Sequence, residues 1–243
     1  MFDVRVWAPL AETVEVQLLD GDRTHLRREA GEWVGFVLPL SRYQLLVDGG
    51  AGLVDPMATQ VWFGKHYEGY EPDAWAAAAE WPRPQLQRWT TRPIVIAEAH
   101  ARGITMGLNR DGAGALATAA TDFPRLAEHG ISVLELLPIH QSDPAEGNHW
   151  GYMPLVFEAV HGQYGTAADI AALVAAAHAH DIEIWVDVVV NHTTEEDEHG
   201  PTLSLRGPAD ADYYALRCGW RIPQRRGLRQ HHRCDVARLS VVL

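Results

Sequence analysis

The sequence comprises 243 residues, of which 47% are apolar and 21% charged, a globular balance that excludes a disordered chain. Its formal net charge of −12 disfavours a nucleic-acid partner. No apolar run approaches the ~18–20 residues of a membrane helix, and the opening MFDVRVWAPL lacks a signal-peptide pattern, so a soluble cytoplasmic protein is expected.

In the first 85 residues, Val4 and Val6, then Val14, Val16 and Leu18, alternate with polar neighbours, the period of half-buried strands. Turn signals punctuate them at Asp20-Gly21-Asp22, Gly31, Pro39, Asp48-Gly49-Gly50 and Asp55-Pro56. Short strands spaced in this way predict a small β-sandwich. Trp81-Pro82-Arg83-Pro84 then reads as a linker, because proline continues neither a helix nor a ladder.

From residue 93 the pattern changes to alternating strand and helix. A short apolar run at Ile94–Ala97 is followed by an Ala-rich helix over 113–129, ending at the cap Gly130. A second strand covers Ile131–Ile139. Thr166-Ala167-Ala168-Asp169 resembles a capping box and opens a helix to about His180. Ile182–Val190 is the third strand. Strand, helix and strand in this order predict βαβ units and a parallel sheet, whose function lies beyond the strand C-termini. No GxGxxG or HExxH motif is present.

The third strand carries chemistry. Asp187, Val189 and Asn191 share one face of a strand, and a carboxylate there needs a partner, expected to be an Arg of a neighbouring strand. His192 reaches the mouth of the sheet. Other polar clusters read blandly. The stretch from His192 to His199 is expected to be a solvated acidic loop rather than a metal site. His178 and His180, two apart on a helix, cannot face one ion together. Trp7, Trp33 and Trp62 are expected in core packing rather than on sugar. Cys218 and Cys234 are too few for a disulfide framework or a zinc cluster.

Asp187-Val188-Val189-Val190-Asn191-His192-Thr193 resembles the first conserved region of glycoside hydrolase family 13, the α-amylase clan. Glu98 to Gly103 and Leu134 to His140 resemble the first two barrel strands of its debranching branch, and Asn148-His149-Trp150-Gly151-Tyr152 the segment that follows. Phe2 to Pro9, Val47-Asp48-Gly49 and Asp55-Pro56 resemble the family 48 carbohydrate-binding module that precedes such barrels. The likeness spans about residues 1–217. It implies a β-sandwich module over 1–85 and, over 86–217, the first three strand–helix units of an incomplete (β/α)8 TIM barrel.

The resemblance further implies an isoamylase or glycogen-debranching type of hydrolase. It would cleave α-glucosidic bonds of glycogen or maltodextrin with retention and no cofactor, although Asn191 occupies a position that ligates calcium in some relatives. Tyr152 would be the platform beneath the sugar, an aromatic face suiting the C–H face of a pyranose. His192 would bind hydroxyls of that sugar, with His140 a further candidate contact. Asp187 would orient an Arg beside the nucleophile, and Asn191 would brace the loop.

Retaining glycosidases need two carboxyl groups about 5 Å apart, and the segments that carry them in the family are not evident. Arg233-Cys234-Asp235-Val236-Ala237 has the nucleophile's spacing in the wrong surroundings. A barrel needs eight units and ~250 residues, so a fragment without activity is expected. From Arg217 to Arg238 there are seven Arg against one acid. Residues 218–233, back-translated with GC-leaning codons and shifted by one base, can read Ala-Gly-Gly-Val-Tyr-Arg-Asn-Asp-Ala-Gly-Cys-Gly-Asn-Thr-Thr, which is close to the family's continuation. The tail 218–243 is therefore expected to be out of frame and disordered, not a basic nucleic-acid arm. A non-catalytic glucan-binding protein is the rival reading.

Overall fold

Alternating burial builds the N-terminal strands. In β1 (Phe2–Trp7), Val4 and Val6 are buried while Asp3 and Arg5 are exposed, and in β2 (Val14–Leu18) Val14 and Val16 turn inward. The structure, a computed structural model, describes residues 2–39, 41–63, 74–77, 93–105, 115–142, 150–195, 200–215 and 233–234. The Pro-rich linker and most of the basic tail lie outside them.

After β3 (Arg23–His25) and β4 (Arg27–Glu29) come β5 (Glu32–Val37), β6 (Arg42–Val47), β7 (Gly52–Leu53), β8 (Gln60–Phe63) and β9 (Ala74–Ala77). They form two antiparallel sheets, in the orders β1-β5-β4 and β3-β2-β6-β9-β8, with β7 beside β6. Val4, Val6 and Trp33 of the first sheet share one apolar cluster with Val14, Val16 and Leu45 of the second. Each fully buried valine stabilises the fold by about 1.5–2 kcal/mol. The turn motifs lock these strands. Asp48 adopts φ +49° and accepts the N–H groups of Glu12 and Thr13, while Asp55, 2% exposed, accepts the Tyr43 hydroxyl at 2.6 Å. Trp33 belongs to the core, its indole N–H satisfied by the Ala8 carbonyl, and Trp62 lies beneath the Arg42 guanidinium.

The second half holds β10 (Ile96–Ala99), α1 (Ala115–Ala119), α2 (Phe123–Glu128), β11 (Val133–Leu136), β12 (His140–Ser142), β13 (Pro154–Val160), α3 (Ala167–His178), β14 (Glu183–Val186) and α4 (Arg206–Tyr213). β15 (Tyr214–Ala215) pairs with β16 (Arg233–Cys234). β10, β11 and β14 make the parallel sheet that the alternation of strand and helix predicts, with β11 central. Leu134 and Leu136 lie under Leu116, Phe123 and Leu173 of the helices, whereas Ile96 and Trp185 on the opposite face are 45% and 37% exposed.

Four elements differ from expectation, the second strand among them, which is Val133–Leu136 and not Ile131–Ile139. The single helix over 113–129 is two among the described residues, because Pro124 has no N–H to offer the preceding turn and restarts the chain as α2. Gly130 follows at φ +77°, the left-handed cap expected there. The first strand sits two residues later than Ile94–Ala97, and the third strand ends at Val186, not Val190. Its last ladder bond runs from Asp187 N–H to the Leu136 carbonyl, and beyond Leu136 the neighbouring chain reaches Pro138, which cannot continue the ladder. Helix α3 starts as expected, with a complete capping box between Thr166 and Asp169.

The two halves share a core. Leu155, Val156 and Ala159 of β13, with Leu203, join the N-terminal apolar cluster, and the Val54 N–H donates to the Leu203 carbonyl at 2.8 Å.

Candidate functional site

The C-terminal end of the parallel sheet gathers most of the residues singled out by the sequence. Asp187 follows β14 directly, Tyr152 stands just ahead of β13, and His140 opens β12 after β11. The Tyr152 hydroxyl donates to Asp187 Oδ2 at 2.6 Å. The partner of Asp187 among the described residues is thus a phenol, not the expected Arg of a neighbouring strand. Asp187, whose N–H makes the last ladder bond, falls two residues after Trp185 and so on the face of Glu98 and Glu135, where its carboxylate meets the segment ahead of β13. Burial, the hydrogen bond to Asp187 and the charges of Asp187, Glu98 and Glu135 push the Tyr152 hydroxyl up to about 12, so it remains protonated and donates.

Glu98 and Glu135 were not singled out as site residues. They are paired in register on neighbouring strands, on the face away from the helices, with Trp185 third in the row. A strand pattern assigns each to a face; only the register places them side by side, where both charges bear on the Tyr152 hydroxyl.

Two imidazoles hold the backbone that carries Tyr152. His192 Nε2 lies 2.7 Å from the Tyr152 carbonyl, so this nitrogen bears the proton and donates. His140, 5% exposed, is hydrogen-bonded to the Gly151 backbone, and because its Nε2 has no partner among the described residues that bond is made at Nδ1. His192 Nδ1 is likewise buried without a partner among them. Burial holds His140 down to about 4, so its ring is neutral and Nε2 is a bare acceptor at neutral pH. A buried acceptor left unpaired costs about 1–3 kcal/mol, and a hydroxyl is the donor that satisfies it. Gly151 makes the arrangement possible: it adopts φ +86°, and a Cβ there would run into the Pro138 carbonyl.

Asn191 is exposed and makes no side-chain hydrogen bond among the described residues; the turn is braced instead by Thr193, Thr194 and Glu195, all buried. No group of three His, Cys, Asp or Glu able to hold a metal occurs among the described residues. Asn148 and His149 lie outside them, as do residues 196–199, the remainder of the acidic loop that begins at His192. Trp150 is 63% exposed. His178 faces Glu183 at 3.3 Å and takes no part in the site.

A second histidine group docks the turn after β10 onto the turn before α3. His100 Nδ1 accepts the N–H groups of Arg102 and Gly103, so Nε2 carries the proton and donates to the Tyr164 hydroxyl at 3.0 Å. His161 lies against Tyr164 with ring centroids 4.9 Å apart. Burial, with the nearby positive charge of Arg102, lowers both histidines, His161 to about 4.

A family model for the catalytic domain of alpha amylase matches residues 106–232. The chain belongs to the alpha-amylase family. The match begins ahead of α1 and runs through the segments that hold His140, Tyr152, Asp187 and His192. The chain is 36% identical over 156 residues to a glycogen debranching enzyme of Klebsiella pneumoniae subsp. pneumoniae, which covers 57% of this chain and 24% of that protein. It is 30% identical over 195 residues to the chloroplastic isoamylase 1 of Oryza sativa subsp. japonica, covering 68% of this chain and 24% of the relative. The chain thus spans about a quarter of the length of these curated relatives. Among solved structures, a candidate alpha amylase from Salmonella typhimurium superposes with a TM-score of 0.70 at 20% identity, over 98% of this chain and 37% of the other. The Group B Streptococcus pullulanase SAP does so with a TM-score of 0.65 at 20% identity, over 80% and 32%. These two likenesses establish a shared fold. No helix among the described residues is long and apolar enough to cross a membrane.

Proposed function

We propose that the chain serves in the hydrolysis of α-glucosidic bonds of glycogen or maltodextrin, as part of a debranching-type hydrolase that retains anomeric configuration. In this reading residues 1–85 form a carbohydrate-binding-like β-sandwich and residues 86–217 the first three strand–helix units of a (β/α)8 barrel. The two sheets that share an N-terminal core and the parallel β10-β11-β14 sheet support that layout. A cytoplasmic location accompanies the reading, in line with the bacterial relatives' role in glycogen debranching.

The observation that carries it is the Tyr152 ring, held at the C-terminal end of the sheet by Asp187 through its hydroxyl, by His192 through its carbonyl and by His140 through the backbone of the preceding Gly151. A ring fixed at its edge and root keeps its face available, and a pyranose offers the apolar C–H face that stacks on it. His192 and His140, which border the ring, are the candidate partners for hydroxyls of that sugar. In chemical terms these residues bind and orient. Bond cleavage needs a nucleophilic carboxylate and an acid/base carboxyl in addition, and no described residue takes either role. The 243-residue polypeptide is therefore expected to bind α-glucan without turning it over.

Calorimetry with maltotetraose and affinity electrophoresis in glycogen test this. Tyr152→Ala is expected to weaken binding at least about tenfold, the loss of one stacked ring. Unchanged binding by that variant would remove the platform role, and release of reducing sugar by the purified wild-type polypeptide would overturn the expectation of binding alone.

A further inference from the structure

The Glu195 carboxylate is 1% exposed and takes no part in the sugar contacts described above. Its Oε1 accepts the N–H groups of Leu203 and Ser204 at 2.7 and 2.8 Å, and its Oε2 accepts the Arg206 N–H at 3.0 Å and the Tyr214 hydroxyl at 2.7 Å. Four donors on two oxygens make a buried charge tolerable. Tyr214 has one proton, spent on Glu195, so the Thr193 hydroxyl 2.6 Å away donates to the Tyr214 oxygen. Thr193 Oγ1 in turn accepts the Glu195 N–H at 3.2 Å. The proton order is thus fixed from Thr193 through Tyr214 to Glu195. On the other side, the Thr194 N–H donates to the Pro154 carbonyl at 2.9 Å, at the start of β13.

His192 is the last residue before this knot, and its imidazole reaches back to the Tyr152 carbonyl. We propose that Glu195 is a positioning residue: by gathering the N–H groups ahead of α4 and the Tyr214 hydroxyl, it fixes the turn that presents His192 to the glucan site. The role in glucan binding rests on the function proposed above; the effect on His192 does not.

The test uses the full 243-residue chain with 15N-labelled histidine. In the wild type the His192 Nε2–H signal is protected from solvent exchange by the Tyr152 carbonyl, and the His100 Nε2–H, bound to Tyr164, serves as an internal control. Glu195→Gln keeps an acceptor for Leu203 and Ser204 but turns an amide donor toward the Arg206 N–H. Tyr214→Phe breaks the relay to Thr193 and leaves the carboxylate three backbone donors. Protection of His192 is expected to fall about tenfold in the first variant and about threefold in the second, with His100 unchanged, as hydrogen bonds holding the turn are lost. Maltotetraose affinity is expected to fall by similar factors. A His192 signal unmoved in both variants overturns the proposal, and so does loss of protection at His100 and His192 together, which marks general unfolding. If wild-type protein does not bind maltotetraose, the glucan reading fails, while the His192 signal still decides the role of Glu195.

Discussion

Acidification should destabilise the fold through two buried neutral histidines. Burial holds both His140 and His161 down to about 4, against an ordinary value of 6.5. The unfolded chain therefore binds more protons than the native one between these values. The stability is fully present above about pH 6.5 and is lost as pH falls toward 4. At pH 5 each histidine costs about 2 kcal/mol, and the pair about 4, a large share of the 5–15 kcal/mol typical of a folded domain. Asp55 and Glu158 work in the opposite direction, because burial raises their carboxyls and the native state takes up their protons first. The wild-type curve is thus a sum, and a difference isolates one histidine. His161→Asn suits this purpose, since an amide oxygen can replace the Nδ1 that accepts the Gln163 N–H. Urea unfolding, followed by tryptophan fluorescence at about pH 7.5 and pH 5, should show the wild type losing about 2 kcal/mol more than the variant. Parallel losses in the two proteins would refute the assignment of a buried, neutral His161.

Two further substitutions probe the frame of the site. Gly151→Ala combines a left-handed backbone with a collision at the Pro138 carbonyl, so about 2–3 kcal/mol of stability should be lost, together with maltotetraose affinity, as seen by thermal melting and calorimetry. Thr166→Ala removes the capping box of α3, away from Tyr152; about 1 kcal/mol, or roughly 2–4 °C of melting temperature, should go with ligand binding unchanged.

How far the sequence carried the fold depended on the range of the forces involved. The capping box at Thr166, the left-handed cap at Gly130 and the inward valines of β1 and β2 are decided within a few residues, and each stands where its pattern placed it. Strand ends are decided by neighbours. The apolar run Ile182–Val190 is uniform, yet pairing stops at Val186 because the adjacent chain arrives at Pro138; nothing within the run marks that point. Likewise the Ala-rich stretch conceals its break, although Pro124 was a visible signal for it.

The site divides along the same line. Tyr152, Asp187 and His192 come together as the motifs imply, but the bonds between them were not legible. The Asp187 carboxylate needs a partner, which the pattern assigns to an Arg of a neighbouring strand; among the described residues a phenol 35 residues away meets the need. Glu195, in a run of acidic residues, read as part of a solvated loop, and only the return of the chain at Leu203–Arg206 makes it an internal anchor. The N-terminal core does not close upon itself: Leu155, Val156 and Ala159 of β13 complete it while Val160 faces the second cluster, so the strand that begins beside Tyr152 is a wall common to both halves. The proposed glucan platform, standing just ahead of such a strand, inherits the rigidity of two cores, and the N-terminal sheets packed against one side of that wall act on the site through packing whether or not they touch sugar themselves.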